Sequence, residues 1–207
     1  MWQFFNCVES RMKKLSNLML LANFLSSLFY SMSYPYIYAE TLKAVSTYYI
    51  SFEQIITCIS TVIFSVAWNR AGDKIFRHYR KIMIAEIIAD VILFADVIIR
   101  GDLKFYFLLN VVIFAVITKN LSCGGIRMRA KVNPTEKQRE AYDNNSNTVY
   151  ALSTLAGTVI ATITLPKINT LFFLALIGNT IDNFLYLYIY QKIKETSDTN
   201  GGKNVDR

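Results

Sequence analysis

The sequence predicts an all-α integral membrane protein with six transmembrane helices arranged as two three-helix groups. Of its 207 residues, 53% are hydrophobic, and the charged residues lie in short blocks between apolar runs. Each run is roughly 18–22 residues long, and a helix of that length crosses a hydrocarbon core of about 30 Å. The basic residues are unevenly distributed among the connections between runs, and this asymmetry predicts the orientation.

The six spans are taken from the apolar runs in chain order. They are 15–38, 48–68, 81–99, 103–122, 148–165 and 169–190. Residues 1–14 form a tail, helices 1–4 occupy 15–122 with a basic hinge at 69–81, and a polar loop covers 123–147. Helices 5 and 6 then occupy 148–190, and we expect the polar tail 191–207 to be disordered. The outer connections are short and the middle inner connection is long, and from this layout we expect two three-helix groups, as in a 3+3 inverted repeat.

The positive charges indicate which way the helices point. Six spans place both termini on one side, and the segments on that side hold 17 of the 22 Lys and Arg residues. The positive-inside rule identifies that side as the cytoplasm. We therefore expect a multi-pass protein of the cytoplasmic (inner) membrane with both termini cytoplasmic. The net charge of +7 then reflects orientation in the lipid bilayer, and we expect no nucleic-acid partner.

The basic hinge resembles a loop of the major facilitator superfamily of secondary transporters. That loop joins helices two and three and carries the pattern G-x-x-x-D-R-x-G-R-R. Asp73 falls on the acidic position, Lys74 on the first basic position and Arg77 on the basic position four after the Asp. Asn69 and Phe76 stand where the family has glycine. The resemblance implies that the chain corresponds to one half of a twelve-helix transporter.

The polar loop before the fifth helix is the second point of resemblance. Asn133-Pro134-Thr135-Glu136 is expected to start a helix, with Asn133 as N-cap and Pro134 as first helical residue. Arg139 follows at the basic position. The resemblance implies an inner gate in which Asp73 bonds Arg77 or Arg139 in one state and releases it in another. The alternative is that these charges are solvated and only orient the helices.

Ionisable and amide side chains inside the predicted spans are candidates for function. Glu86 and Asp90 are four residues apart on helix 3, and Asn179 and Asp182 lie on helix 6. A charge inside the hydrocarbon costs at least about 2.5 kcal/mol, so such residues tend to be functional. Alternatively, Glu86 reaches water near a helix end, and Asp90 and Asp182 only hold helices together. The tyrosines around the first outer loop indicate an interfacial belt, or else a vestibule.

Ser153, Gly157 and Ala161 form a stripe of small residues on helix 5. Small residues at four-residue spacing allow two helices to approach closely. The stripe is therefore a candidate interface with a second copy or a partner half, and packing within one bundle is the alternative.

The sequence carries no pattern typical of an enzyme or a metal site. One histidine and three cysteines without ligand spacing predict no metal site, and we expect no cofactor and no catalytic residues. The predicted function is a half-size secondary transporter. It would move an unidentified small solute by alternating access, as a homodimer or with a partner half, and coupling to protons is a further expectation. The alternative is a transporter-derived membrane protein that no longer transports and acts as an accessory, immunity or sensing subunit.

Overall fold

The described part of the chain consists of helices and their short connections. The computed structural model describes residues 2–45, 47–100, 109–164 and 167–201. Its helices are α1 (Trp2–Ala44), α2 (Thr47–Phe76), α3 (Tyr79–Arg100), α4 (Leu109–Val132), α5 (Glu136–Thr164) and α6 (Ile168–Gly201). The prediction of an all-α protein is confirmed for these residues. The predicted turns at 100–102 and 166–167 lie mainly outside them.

Four of the helices are long and apolar enough to cross a membrane. These segments are Ser10–Glu40, Tyr48–Phe76, Leu109–Val132 and Thr170–Thr196. α3 is of similar length but carries three carboxylates, and the first part of α5 is polar. The chain therefore has the character of a membrane protein, and the crossing of all six helices stays a prediction.

Each helix runs antiparallel to the one before it. Arg11 of α1 pairs with Glu195 near the end of α6, and Phe29 meets Gly178 further along, so these two helices are antiparallel. Ser16 with Asn133 and Ser31 with Ser153 make α1 parallel to α5, and Ile50 with Val111 and Asp73 with Arg127 make α2 parallel to α4. Tyr79 with Leu121 and Ala89 with Ile113 make α3 antiparallel to α4. Tyr79 with Tyr190 and Asp90 with Asn179 make α3 antiparallel to α6, which links the two sets of helices. We call the end of the bundle with Arg11, Asp73, Arg127, Tyr142 and Glu195 the basic end. The other, with Ile37, Ile50, Leu93, Val111 and Leu171, is the far end.

The helix contacts have the pattern of an internal two-fold repeat. α1 packs mainly on α6 and α5, α2 packs on α4, and α3 packs on α6 and α4. The repeat is tested by exchanging α1 with α4, α2 with α5 and α3 with α6. The α1–α5 contact then becomes the α4–α2 contact, and the α1–α6 contact becomes the α4–α3 contact. The α3–α6 contact maps onto itself. Because helices three apart run in opposite directions, such an exchange is the one made by an inverted repeat.

Several helices extend beyond the spans predicted from apolar runs. α1 continues through Pro35 to Ala44, and α4 and α5 leave only 133–135 between them. α6 remains helical through Gly201, although we expected disorder from 191 onward. Its end is held to the bundle because Ile193 and Thr196 are buried. Tertiary packing thus extends helices into polar sequence.

The N-cap of α5 is Thr135 and not Asn133 as predicted. The Gln138 amide donates to the Thr135 hydroxyl (3.3 Å), and the Thr135 amide donates to Gln138 Oε1 (3.2 Å), which is a capping box. Asn133 instead follows the end of α4, where its amide donates to the Arg129 carbonyl at 2.9 Å. Its buried side chain accepts a hydrogen bond from Ser16 of α1.

Two irregularities interrupt the regular α-helices, one in α2 and one in α4. Ala71 has φ −129° and ψ 21°, which kinks α2 within the predicted hinge. Phe114–Thr118 form a π-helical segment in α4. Such segments are rare and are often found at functional positions. The hinge is therefore a kinked helix end followed by a short turn at Arg77 and His78.

Candidate functional site

A cavity of about 600 Å³ with acidic and amide side chains in its wall lies inside the bundle. All six helices contribute residues to its wall, so a single chain forms it. Its acidic and amide residues are Glu53, Glu86, Asp90, Asp182, Asn23, Asn110, Asn179 and Asn183. The four intramembrane residues selected from sequence, Glu86, Asp90, Asn179 and Asp182, are all among them. The structure therefore brings these four together in one cavity.

Glu86 is the least exposed of the acidic residues in the cavity wall. It is 6% exposed, and Thr118 at the end of the π-helical segment donates a hydrogen bond to its Oε1 (2.7 Å). Its second oxygen, Oε2, is buried and has no hydrogen-bond partner. Glu86 therefore does not reach water along a helix end, and it links the cavity to the irregular part of α4.

Asp90 and Asp182 present buried oxygens in the same cavity. Asp90 Oδ2 and Asp182 Oδ1 are buried and accept no hydrogen bond, while Asn179 lies beside the Asp90 carboxyl group. An unpaired polar atom of this kind costs about 1–3 kcal/mol, and more when it is charged. The buried oxygens of Asp90 and Asp182 therefore form no hydrogen bonds that would hold helices together.

The one cationic residue in the described wall of the cavity is already paired. Arg129 contacts Asp143 at 2.9 Å and lies over the Tyr142 ring at 5.9 Å from its centroid. Its charge is therefore balanced by a carboxylate that does not line the cavity. The cavity wall as a whole is left acidic.

Tyrosines line the cavity toward the far end. Tyr30 and Tyr34 of α1 line the wall, and their rings stack with centroids 4.5 Å apart. Tyr38 continues the stack at 5.7 Å from Tyr34, and Glu53 of α2 lies near the first two rings. Tyr30 and Tyr34 thus belong to the cavity wall, and both the interfacial belt and the vestibule stay predictions.

Toward the basic end, a hydrogen-bond network joins α1, α5 and α6. Asn23 donates to the Tyr142 hydroxyl (3.0 Å) and to Ser146 (3.2 Å), and its Oδ1 accepts from the Tyr186 hydroxyl (3.0 Å). We did not select these residues from sequence. A lone Asn within an apolar run is the signal that would have identified Asn23.

At the basic end, Asp73 bonds Arg127 of α4 and not Arg77 or Arg139. The Arg127 guanidinium lies 2.7 Å from Asp73 Oδ1. Arg139 is exposed on α5, and Lys74 and Arg77 are also exposed. Gly72 leaves the space that Arg127 occupies, since a Cβ there would lie 2.6 Å from its Nη1.

An aromatic cluster packs beside this ion pair. Phe76 stacks on Tyr79, and both rings contact Tyr190 of α6. The Tyr190 hydroxyl donates to the carbonyls of Phe76 (2.9 Å) and Arg77 (3.1 Å). Tyr79 in turn donates to the Leu121 carbonyl (2.7 Å) and lies against Gly124. The cluster therefore connects α2, α3, α4 and α6 at the basic end.

The stripe Ser153, Gly157 and Ala161 is buried within the chain. Ser153 and Ala161 are fully buried, and a Cβ on Gly157 would lie 2.3 Å from Ser31 Oγ of α1. The stripe therefore allows α1 and α5 to approach closely, and it is not available to a second copy. These residues pack within one bundle, as in the alternative to an interface, and a second copy or partner half stays a prediction.

No group of three or more His, Cys, Asp or Glu side chains in the described ranges is arranged to hold a metal ion. The chain matches no protein-family model, no curated protein and no solved structure. The resemblance to the major facilitator superfamily therefore stays a prediction based on residues 69–81 and 133–139.

Proposed function

We propose that this chain is a membrane transporter that binds a small solute in its central cavity and moves it by alternating access. The observation that supports this most is an acidic cavity lined by all six helices of a bundle whose exposed surface is rich in apolar residues. Carboxylates inside a membrane bundle are typical of substrate and ion pathways. The proposed location is the inner membrane with the basic end in the cytoplasm, on the strength of the positive charges.

The proposed moving unit is the pair of helices α2 and α4. They pack on each other through Trp68, which donates to Asn120 at 2.7 Å, and through Asp73 and Arg127. Both helical irregularities lie in this pair, at Ala71 and in the π-helical segment. Because Thr118 at the end of that segment bonds Glu86, occupation of the cavity would act directly on a point where α4 can change shape.

Contacts at the basic end form the proposed inner gate. Tyr190, Tyr79 and Phe76 join the α2–α4 pair to α3 and α6. Separation of these aromatic contacts would open the cavity toward the basic end. The ion pair of Asp73 and Arg127 lies within the moving pair, so it would hold α2 and α4 together as one unit. The ion pair would therefore stay formed in both states, unlike a latch that bonds in one state and releases in the other.

A second copy is not needed to build the solute site, since one chain lines the cavity. A homodimer or a partner half stays a prediction, and so does coupling to protons. Cavity carboxylates that gain a proton when the solute leaves would provide that coupling.

A protein that no longer transports is the second candidate. Phe76 supports it, because this residue stands where the family pattern has a glycine and packs against Tyr79 and Tyr190. A bulky anchor at this position would favour a rigid basic end.

Two-sided labelling separates the two candidates. Asn179→Cys is introduced into a chain whose native cysteines are serine, and the protein in oriented vesicles is treated with a membrane-impermeant thiol reagent from each side. A transporter labels from both sides over time, whereas a rigid protein labels from one side only. Ile63→Cys on the exposed apolar face of α2 is the matched control and should stay unlabelled from both sides.

A further inference from the structure

We propose that the central cavity binds an organic ammonium ion, meaning a protonated amine carried on an apolar or aromatic body. This inference names the substrate class of the proposed transporter and rests on that function. It combines the charge of the cavity wall, its unpartnered oxygens and its aromatic rings.

The charge of the wall selects a cation. Glu53, Glu86, Asp90 and Asp182 line the cavity, and Arg129, the one cationic residue in the described wall, is paired with Asp143. An anionic ligand would meet carboxylates with no free cation to balance it. A neutral ligand would leave any ionised carboxylate without a counter-charge in a region where this is costly.

The carboxyl groups of the wall supply acceptors for the N–H groups of such a cation, and their unbonded oxygens, which are covered in this structure, would turn toward the ligand when it binds. Glu86 is 6% exposed, lines the cavity and has a buried Oε2 without a hydrogen-bond partner. Asp90 Oδ2 and Asp182 Oδ1 are in the same condition. A primary ammonium group carries three donors and no acceptor. The donor character of the ligand therefore complements the acceptors that the protein leaves unbonded.

The size and lining of the cavity favour an organic cation over an inorganic one. About 600 Å³ is within the range of pockets for drug-sized ligands. The carboxylates are not grouped as metal ligands within the described residues. Tyr30 and Tyr34 add stacked ring faces near Glu53, and ring faces attract organic ammonium groups. Apolar side chains such as Met19 and Met83 complete the wall.

A set of three matched probes tests the proposal on the purified full-length chain in detergent. The probes are 2-phenylethylamine, its neutral analogue 2-phenylethanol and the anion 3-phenylpropionate, with binding measured by calorimetry. We expect only the amine to bind. Equal binding of the alcohol would mean that the cavity recognises only the apolar body, and the proposal would be wrong. Heat from sodium chloride but not from the amine would also overturn it.

Charge-removing variants locate the binding. Glu86→Gln and Asp182→Asn keep the side-chain shape, and each should weaken amine binding by roughly tenfold or more, since one buried partner of the charge is lost. Glu136→Gln, on the exposed surface of α5, is the control and should leave binding unchanged. Unchanged binding in both cavity variants would contradict the proposal. If either variant fails to fold, the selectivity among the three probes in the unaltered chain still decides.

The binding assay and the labelling assay fail independently. Amine binding without two-sided labelling of Asn179→Cys would support the ammonium site and contradict transport. Two-sided labelling without amine binding would support transport and reject the ammonium ion as its substrate.

Discussion

Replacing Gly157 by alanine tests the close approach of α1 and α5. A Cβ at this position would lie 2.3 Å from Ser31 Oγ and 2.5 Å from the Leu28 carbonyl oxygen. The Ser31 hydroxyl can rotate away, although it would lose its 2.7 Å hydrogen bond to the Ser27 carbonyl. The Leu28 oxygen belongs to the backbone, so α1 must move by about 0.9 Å for the contact to reach an ordinary 3.4 Å.

The cost of this movement should exceed the gain in helix propensity. Overpacking a well-packed site costs about 1–3 kcal/mol, whereas alanine in place of glycine gains up to about 1 kcal/mol in a helix interior. We therefore expect Gly157→Ala to lower the free energy of unfolding by about 1–2 kcal/mol. The measurement is unfolding by SDS titration in mixed micelles.

Gly125 of α4 provides the matched control. A Cβ there would meet only the Tyr79 hydroxyl, at an ordinary distance of 3.9 Å. Gly125→Ala should therefore be neutral or stabilising by up to about 1 kcal/mol. If Gly157→Ala is as stable as Gly125→Ala, the two helices do not approach as described, and the assignment of the small-residue stripe to the interior is refuted.

Three further tests concern contacts at the basic end. Tyr190→Phe keeps the ring but removes the hydroxyl that is bonded to two backbone carbonyls. In SDS titration it should lower the free energy of unfolding by about 1 kcal/mol. Tyr188 is exposed, so Tyr188→Phe should leave that free energy unchanged. Asp73→Arg and Arg127→Asp should each lower the melting temperature and the double exchange should restore it; a double variant no better than either single one would argue against the pair. Thr135→Ala removes the capping box of α5 and should cost about 1 kcal/mol in the same titration, with no effect expected from Thr148→Ala in the helix interior.

The sequence was sufficient to predict the helices but not their ends. Apolar runs and charge blocks identified all six helices, because burial in a membrane or a bundle imposes both patterns. The ends of α4 and α5 lie in polar sequence, where packing keeps the chain helical. The capping box shows the same limit, since Thr135 and Asn133 are both good caps and tertiary contacts to Ser16 decide between them.

Some residues of the cavity wall could also be predicted from the sequence. Glu86, Asp90 and Asp182 were identified because charges are rare in apolar runs, and all three line the cavity. The partner of Asp73 could not be identified in this way. Arg77, Arg127 and Arg139 are equivalent in sequence terms, and the choice depends on the packing of α2 against α4. The small-residue stripe predicts close packing but not which helix packs on it.

A crosslink across the basic end tests most directly whether this end is the inner gate. The protein has its native cysteines removed and carries three substitutions: Asn179→Cys, Phe76→Cys and Tyr190→Cys. The thiol of Asn179→Cys is reversibly protected while a short thiol crosslinker joins the other two. After deprotection, the impermeant reagent is applied to oriented vesicles from each side. If the basic end is the inner gate, the crosslink abolishes labelling from the basic end and preserves labelling from the far end. Labelling from the basic end at the same rate with and without the crosslink would contradict it.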